Sequence, residues 1–139
     1  MSGGEGEMIL LTGATGTTGQ ETVRQLLEKG VPFRVMTRDI ARAKTILGSD
    51  LDYVVGDFAA PETLATAFDG ITRLSLLCAF AEKMVSLELN AVAAAKRAGI
   101  THIVKMSAIG SAPDAPTMIR RWHGEIEQRI EREGFAYTN

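Results

Sequence analysis

A glycine-rich turn with the sequence TGATGTTG, at residues 12–19, constrains the fold of this chain more than any other feature. A short apolar run at residues 8–12 leads into the turn, and an amphipathic stretch at residues 18–29 follows it. The run is too short for a helix and the stretch has helical spacing, so the region predicts a strand, a tight turn and a helix. Three glycines at every third position of such a turn are typical of a dinucleotide-binding site.

Each glycine of the turn has its own expected role. Gly13 permits the bend, Gly16 lets the backbone approach a pyrophosphate, and Gly19 lets the helix pack close to the sheet. The N–H groups and the positive dipole end of the helix would face the phosphates. The alternative is a purely structural glycine turn; a P-loop is excluded because no lysine follows the third glycine. The residues that we expect to contact the dinucleotide here are Gly13, Ala14, Thr15, Gly16, Thr17, Thr18 and Gly19.

Short apolar runs alternate with longer amphipathic stretches along the whole chain. This alternation predicts βαβ units and therefore an α/β fold, a doubly wound parallel sheet of the Rossmann type. Right-handed crossovers give the strand order 3-2-1-4-5, with a partial sixth strand at residues 135–138 outside strand 5. The predicted strands are 8–12, 33–37, 51–55, 73–78 and 103–106. We assign residues 8–139 to one NAD(P)-binding domain and residues 1–7 to a flexible N-terminus.

The composition fits a single domain and argues against several classes of function. The chain has 139 residues, close to the commonest domain size. Its net charge of -2 gives no basic excess for nucleic acid, and no apolar run approaches the roughly 18 residues that would span a bilayer. Cys78 is the one cysteine, and the N-terminus lacks the segments of a signal peptide. We therefore expect a cytoplasmic protein that binds neither nucleic acid directly nor membranes.

Four segments of the chain resemble one family of oxidoreductases. The turn is similar to the T-G-A-T-G-x-x-G turn of the extended and atypical short-chain dehydrogenase/reductases. The segments TRD at 37–39, GDF at 56–58 and KMS at 105–107 resemble, more narrowly, the NmrA-like branch. This branch contains NADPH-dependent reductases that pass hydride to quinones or related small-molecule acceptors, and regulators that bind the dinucleotide without turnover. Its members are longer, so the resemblance covers their cofactor-binding portion; an interaction module built on the same fold is a third hypothesis.

The residues after strand 2 favour NADP(H) over NAD(H). Arg38, with Arg42 and Lys44 nearby, forms a basic cluster suited to the 2′-phosphate of NADP. The alternative is a solvated surface helix, and Asp39 leaves NAD open because a carboxylate there can accept from a ribose 2′-hydroxyl.

The resemblance also implies residues that line the rest of the dinucleotide. Asp57 and Phe58 would line the adenine pocket; the alternative is that they form a strand-ending turn. Independently of the resemblance, Cys78, Ala79 and Phe80 end strand 4 beside the switch point of the sheet, where we expect them to lie against the cofactor ribose. Cys78 could instead be a buried small hydrophobic residue, since no cation stands near it in the sequence.

The catalytic pattern of the resembled family is altered in this chain. Ser107 matches the serine at the end of strand 5, where it would also line the cofactor. In place of the Tyr-x-x-x-Lys pair the last helix carries His123 and Glu127. Their spacing puts them on one side of the helix, so we expect Glu127 to pair with His123 and to raise its pKa. His123 is catalytic on one hypothesis and merely structural or ligand-lining on the other; the sequence suggests no metal site.

The end of the chain predicts self-association. A short sixth strand would leave strand 5 with unpaired backbone groups, and such edges pair with other chains. The last helix, residues 117–133, would also carry an uncovered apolar stripe. The stripe consists of Ile119, Trp122, Ile126 and Ile130. We therefore expect a homo-oligomer joined through strand 5 and the last helix.

Overall fold

The computed structural model describes residues 6–78 and 82–139, and within them six parallel strands form one sheet. The strand order is β3-β2-β1-β4-β5-β6, which confirms the predicted doubly wound topology and its sixth strand. The strands are β1 (Ile9–Leu11), β2 (Phe33–Thr37), β3 (Tyr53–Val55), β4 (Arg73–Leu76), β5 (His102–Lys105) and β6 (Ala136–Thr138). The helices are α1 (Thr17–Lys29), α2 (Ile40–Leu47), α3 (Leu64–Ala67), α4 (Met84–Ala98) and α5 (Met118–Arg132).

Alternate residues of each strand face opposite sides of the sheet, as a sheet covered on both faces requires. In β1, Leu10 packs into a core cluster that includes residues of α3, α4 and α5. Its neighbour Leu11 packs into a smaller cluster with Val23 of α1. The same alternation in β5 buries Ile103 and Lys105 and leaves Val104 exposed. The face of β5 that carries Val104 is therefore less covered than the face toward α4 and α5.

The sixth strand corrects the expectation of an open edge at strand 5. β6 pairs with β5 in parallel, with His102 opposite Ala136 and Val104 opposite Thr138. The backbone groups of β5 are therefore engaged on both sides, and the edge of the sheet lies at β6 instead.

The apolar stripe of α5 is shorter than predicted. Ile126 and Ile130 are fully buried and Trp122 is half-buried against the core, but Ile119 is 37% exposed. The segment before α5 folds back onto the first turn of that helix, where the N–H of Ala112 donates to the carbonyl of Arg120. Ile119 was therefore wrongly placed in the inward stripe.

None of the helices in the described part of the chain is long and apolar enough to cross a membrane.

Candidate functional site

The carboxyl ends of β1, β4 and β5 meet at one edge of the sheet and open onto a cleft of about 600 Å³. The cleft lies where the strand order reverses between β1 and β4, which is the place where open α/β sheets bind ligands. The glycine turn lines one wall through Ala14, Thr18 and Gly19, and the segment after β5 lines another through Ser107 and Ser111.

The first and third glycines of the turn are required by the fold itself. Gly13 has a φ of 66°, in the left-handed region, and a Cβ there would lie 2.8 Å from the carbonyl oxygen of Leu77. A Cβ on Gly19 would lie 2.5 Å from the Cα of Ala14 and nearer still to the carbonyl oxygen of Gly13. The start of α1 is therefore packed directly onto the turn, as predicted for the third glycine.

The second glycine differs from the other two. Gly16 is the N-cap of α1, with a φ of -78° and a ψ of 175° that any residue can adopt. A Cβ at this position would meet only the carbonyl oxygen of Gly13, at an ordinary contact distance of 3.6 Å. Packing in the described part of the chain therefore gives no steric reason for a glycine at position 16.

A buried threonine that sequence reasoning did not single out ties the turn to β4. The hydroxyl of Thr12 donates to the carbonyl of Ser75 at 2.8 Å and accepts from the N–H of Leu77 at 2.9 Å. Thr12 is 3% exposed, so these bonds are shielded from water. They fix the ends of β1 and β4 relative to each other at the switch point.

The basic cluster after β2 is available to a ligand, whereas the adjacent carboxylate is engaged. Asp39 is the N-cap of α2, and its Oδ1 accepts from the backbone N–H of Arg42 at 3.1 Å. Arg38 and Arg42 are exposed, and their guanidinium groups form no ion pair within the described residues. The two cations thus reach solvent while the carboxylate organises the start of the helix.

The turn after β3 is held from both sides. The Oδ1 of Asp57 accepts from the N–H of Ala59 at 2.9 Å. The carbonyl of Phe58 accepts from the side-chain amide of Asn90 at 2.8 Å, and the Phe58 ring is buried in the core. Asn90 lies on α4, so only the tertiary fold could reveal its role.

Cys78 follows β4 and is half-buried. Burial raises the pKa of its thiol, the carboxylate of Glu88 raises it further, and the nearby cations of Lys105 and Arg38 oppose the shift. The thiol is therefore the favoured form at neutral pH, as the small-hydrophobic interpretation of Cys78 predicts. Ala79 and Phe80 lie outside the described residues.

Ser107, Ser111 and Glu127 form one hydrogen-bonded group. The hydroxyl of Ser107 donates to one oxygen of the Glu127 carboxylate, and the hydroxyl of Ser111 donates to the other at 2.7 Å. The two serine oxygens are 3.2 Å apart. Since both hydroxyl protons go to Glu127, the lone pairs of Ser107 remain available as acceptors on the wall of the cleft.

His123 does not pair with Glu127 as predicted. It is only 8% exposed, and its Nδ1 lies 2.7 Å from the Nζ of Lys105 on β5. Burial lowers the pKa of His123, the Lys105 cation lowers it further, and only Glu127 acts in the opposite direction. The expectation of a raised pKa was therefore wrong, because burial and a neighbouring cation outweigh the carboxylate on the same helix.

Lys105 belongs to a buried ion pair that the sequence analysis missed. Its Nζ lies 3.1 Å from the Oε1 of Glu88 on α4, and both side chains are at most 1% exposed. Burial raises the pKa of Glu88, while the adjacent ammonium lowers it. A signal was present in the sequence, because Lys105 alternates with the inward residue Ile103, and Glu88 lies one helical turn after the buried Met84.

A protein-family model described as NAD(P)H-binding matches residues 13–138, nearly the whole chain. The chain is 37% identical over 131 residues to an NAD(P)H azoreductase from Xenophilus azovorans. This match covers 94% of the chain and 46% of the azoreductase. The chain thus spans about half the length of the curated relatives it matches.

Solved structures of two reductases have the same fold. A Citrobacter triphenylmethane reductase complexed with NADP(H) matches with a TM-score of 0.83 and 27% identity, over 93% of this chain and 47% of that one. An NADPH-dependent quinone oxidoreductase from Escherichia coli, complexed with NADPH, matches with a TM-score of 0.82 and 28% identity, over 94% and 47% of the two chains. These comparisons confirm the predicted Rossmann-type sheet and the predicted resemblance to NAD(P)-binding reductases.

Proposed function

We propose, from the premise that the chain belongs to the NAD(P)H-binding family, that it forms the cofactor-binding part of an NADPH-dependent reductase with a small-molecule acceptor. Quinones and azo compounds are the acceptor classes that the relatives suggest. One observation carries the proposal: the glycine turn and Ser107 line the same cleft at the switch point of the sheet. When bound there, the dinucleotide supplies the hydride, and the residues of this chain bind and orient it.

The turn binds the pyrophosphate in this proposal. Gly16 supports it, because the fold tolerates a Cβ at this position and a closely approaching ligand would not. The N-terminus of α1 carries no side-chain cap and no acidic residue in its first turn, so its N–H groups and dipole can face an anion. The contacting residues are Gly13, Ala14, Thr15, Gly16, Thr17, Thr18 and Gly19.

Further residues complete the dinucleotide site in the proposal. Asp57 and Phe58 would line the adenine, Cys78, Ala79 and Phe80 would contact the cofactor ribose, and Ser107 would also contact the cofactor. The second carboxylate oxygen of Asp57 supports the first assignment, because only Oδ1 is engaged by the backbone of Ala59.

NADP(H) is the preferred cofactor in this proposal. Arg38 and Arg42 are exposed cations beside the end of β2, and a 2′-phosphate would give them charge-assisted hydrogen bonds. The Oδ1 of Asp39 caps α2, so this carboxylate also helps to hold the start of the helix. Both the triphenylmethane reductase and the quinone oxidoreductase were solved with the phosphorylated dinucleotide.

The acceptor would bind beside Ser107, with His123 and Glu127 behind it. Ser107 offers lone pairs to a donor on the ligand, since its proton goes to Glu127. Hydride transfer to a quinone needs mainly correct placement of the two reactants, so the loss of the Tyr-x-x-x-Lys pair is compatible with turnover.

The proposal also includes that the protein is a homo-oligomer in the reducing cytoplasm. The lone thiol of Cys78 is consistent with that compartment.

Fluorescence titration with NADPH and NADH, followed by addition of a simple quinone or azo dye, tests the proposal. We expect NADPH to bind more tightly than NADH and its absorbance to decay once the acceptor is present. Binding without decay would favour a non-catalytic NAD(P)-sensing regulator. Failure of both dinucleotides to bind would favour an interaction module and would refute the proposal.

A further inference from the structure

We infer that Lys105 is a positioning residue: it fixes His123 as a neutral imidazole with its proton on Nε2, so that His123 can donate a hydrogen bond but cannot accept a proton at Nδ1. This inference rests on the proposed function only for the identity of the ligand that would receive the bond. The arrangement itself follows from the contacts of four residues on β5, α4 and α5.

The hydrogen bonds of Lys105 account for every proton on its ammonium. A lysine ammonium carries three N–H donors and no acceptor. The Nζ of Lys105 lies 3.1 Å from Glu88 Oε1, 2.9 Å from the carbonyl oxygen of Met106 and 2.7 Å from His123 Nδ1. Glu88 and Met106 can only accept here, so the third donor points at the imidazole. Nδ1 must then present its lone pair, which places the imidazole proton on Nε2.

Charge balance distinguishes this arrangement from its alternative. If the proton were on Nδ1, it would be donated to a neutral Lys105 amine, and Glu88 would be left as a charge without a counter-ion. Glu88 and Lys105 are at most 1% exposed, and an unpaired charge in such a place is strongly unfavourable. An ionised Glu88, a protonated Lys105 and a neutral His123 pair the two buried charges and give every N–H of the ammonium an acceptor.

The surroundings of His123 differ at its two ring nitrogens. Among the described residues, no buried polar side-chain atom lacks a hydrogen-bond partner. No described residue is hydrogen-bonded to Nε2, and the side chain is only 8% exposed. The titratable groups that face the ring are Lys105 from β5, Glu88 behind it on α4, and Glu127 on α5 itself. Among the described residues, Lys105 alone is hydrogen-bonded to the ring.

A neutral imidazole of this kind has a defined chemical capacity. It can donate from Nε2 to an oxygen or nitrogen that gains electron density, as a neutral histidine does when it polarises a carbonyl. It cannot serve as a general base, because its one lone pair is occupied by the lysine. A neutral His123 that donates and a Ser107 whose lone pairs accept thus have fixed and opposite hydrogen-bonding roles.

Long-range proton–nitrogen NMR correlation on ¹⁵N-labelled chain reads the tautomer directly and needs neither cofactor nor turnover. The spectra are recorded from about pH 5 to 8, where an ordinary histidine titrates. His102→Gln assigns the two histidines. We expect His123 to show an unprotonated Nδ1 and a protonated Nε2 through the neutral range.

Three variants test whether Lys105 sets the tautomer. Lys105→Met should abolish the single-tautomer signature and move protonation of His123 to higher pH. That change leaves a buried Glu88 unpaired and can prevent folding. The double variant Glu88→Met with Lys105→Met removes both buried charges, and it should lose the signature while remaining folded. Lys29→Met, which removes a surface lysine of α1, is the matched control and should leave the spectrum unchanged.

The outcomes separate this inference from the proposed function. A wild-type His123 protonated on Nδ1, or charged at neutral pH, overturns the inference. So does a wild-type signature that persists in the folded double variant. A correct signature in a chain that fails to bind NADPH supports the role of Lys105 and overturns the proposed function.

Discussion

Replacing Gly16 by alanine should abolish NADPH binding and leave the fold intact. The new Cβ would meet only the carbonyl oxygen of Gly13, at 3.6 Å, and the backbone at this N-cap suits any residue. Alanine restricts the unfolded chain and so stabilises by about 0.4–1 kcal/mol, while it is a poorer N-cap than glycine by a similar amount. These effects nearly cancel, so the free energy of unfolding should change by less than about 1 kcal/mol.

Gly19→Ala is the contrasting variant. Its Cβ would lie 2.5 Å from the Cα of Ala14, so α1 would have to move by about 1 Å to restore ordinary contact. Such overpacking costs about 1–3 kcal/mol, which lowers the melting temperature of a domain of this size by roughly 2–12 °C. We therefore expect different effects from the two variants. Gly16→Ala should lose NADPH binding without losing stability, and Gly19→Ala should lose stability.

Thermal unfolding of both variants, together with NADPH titration by nicotinamide fluorescence, tests this reasoning. A folded Gly16→Ala chain that binds NADPH with wild-type affinity would refute the assignment of the turn to the pyrophosphate. A Gly19→Ala chain as stable as the wild type would show instead that the start of α1 adjusts without cost.

Three further measurements follow from the site and its surroundings. Arg38→Ala should weaken NADPH binding by roughly tenfold, the lower end of the range for a charge-assisted hydrogen bond because Arg38 is exposed. NADH binding should change little, and NADPH binding should change little in the control Arg132→Ala, which removes an exposed arginine at the end of α5. Equal losses for both cofactors would contradict a role in 2′-phosphate binding. Because the pKa of His123 is lowered below its ordinary 6.5, only the unfolded chain takes up this proton as the pH falls from 7 toward about 5, so the free energy of unfolding should decrease over that interval. His123→Asn should remove this part of the pH dependence in urea unfolding and the control His102→Asn should not; identical profiles for both would contradict the lowered pKa. Ile109 is 94% exposed and lines the cleft together with Val104 and Met106, so we expect it to contribute to self-association. Ile109→Ser should lower the average mass in sedimentation, while the control Ile46→Ser on α2 should not. A monomeric wild type would refute the oligomer.

The fold was predictable because its signals are local. The glycine turn lies between an apolar run and an amphipathic stretch, and each of the first five strands lies in such a run and is followed by a turn or helix start. Strand ends were less accurate: β3 begins at Tyr53 rather than at residue 51, and β4 ends at Leu76 rather than at residue 78. The apolar run extends beyond the residues that are hydrogen-bonded to the neighbouring strand, so hydrophobicity alone overestimates the length of a strand.

The site was predictable only as far as residues that are close in sequence or matched by motif. Ser107 is hydrogen-bonded to Glu127, but the sequence did not reveal that Ser111 shares this carboxylate or that Lys105 bonds to both His123 and Glu88. The packing of α4 and α5 against β5 brings these residues together. Helical spacing correctly put His123 and Glu127 on one side of α5. It could not show that a lysine from the sheet stands nearer to the imidazole than the glutamate does.

The buried charges explain why the pairing of His123 was misjudged. A lysine and a glutamate in a sequence are ordinarily read as solvated, since such groups are almost never fully buried unless paired. Here each makes the burial of the other tolerable: Lys105 offers three donors, and Glu88 balances its charge at 3.1 Å. Replacing such a pair by apolar residues is often neutral for stability, so stability alone is weak grounds for two charges at these positions. An apolar pair at these positions could not control the position of the imidazole proton. Lys105 can, because its ion pair with Glu88 does not use the N–H group that is directed at His123.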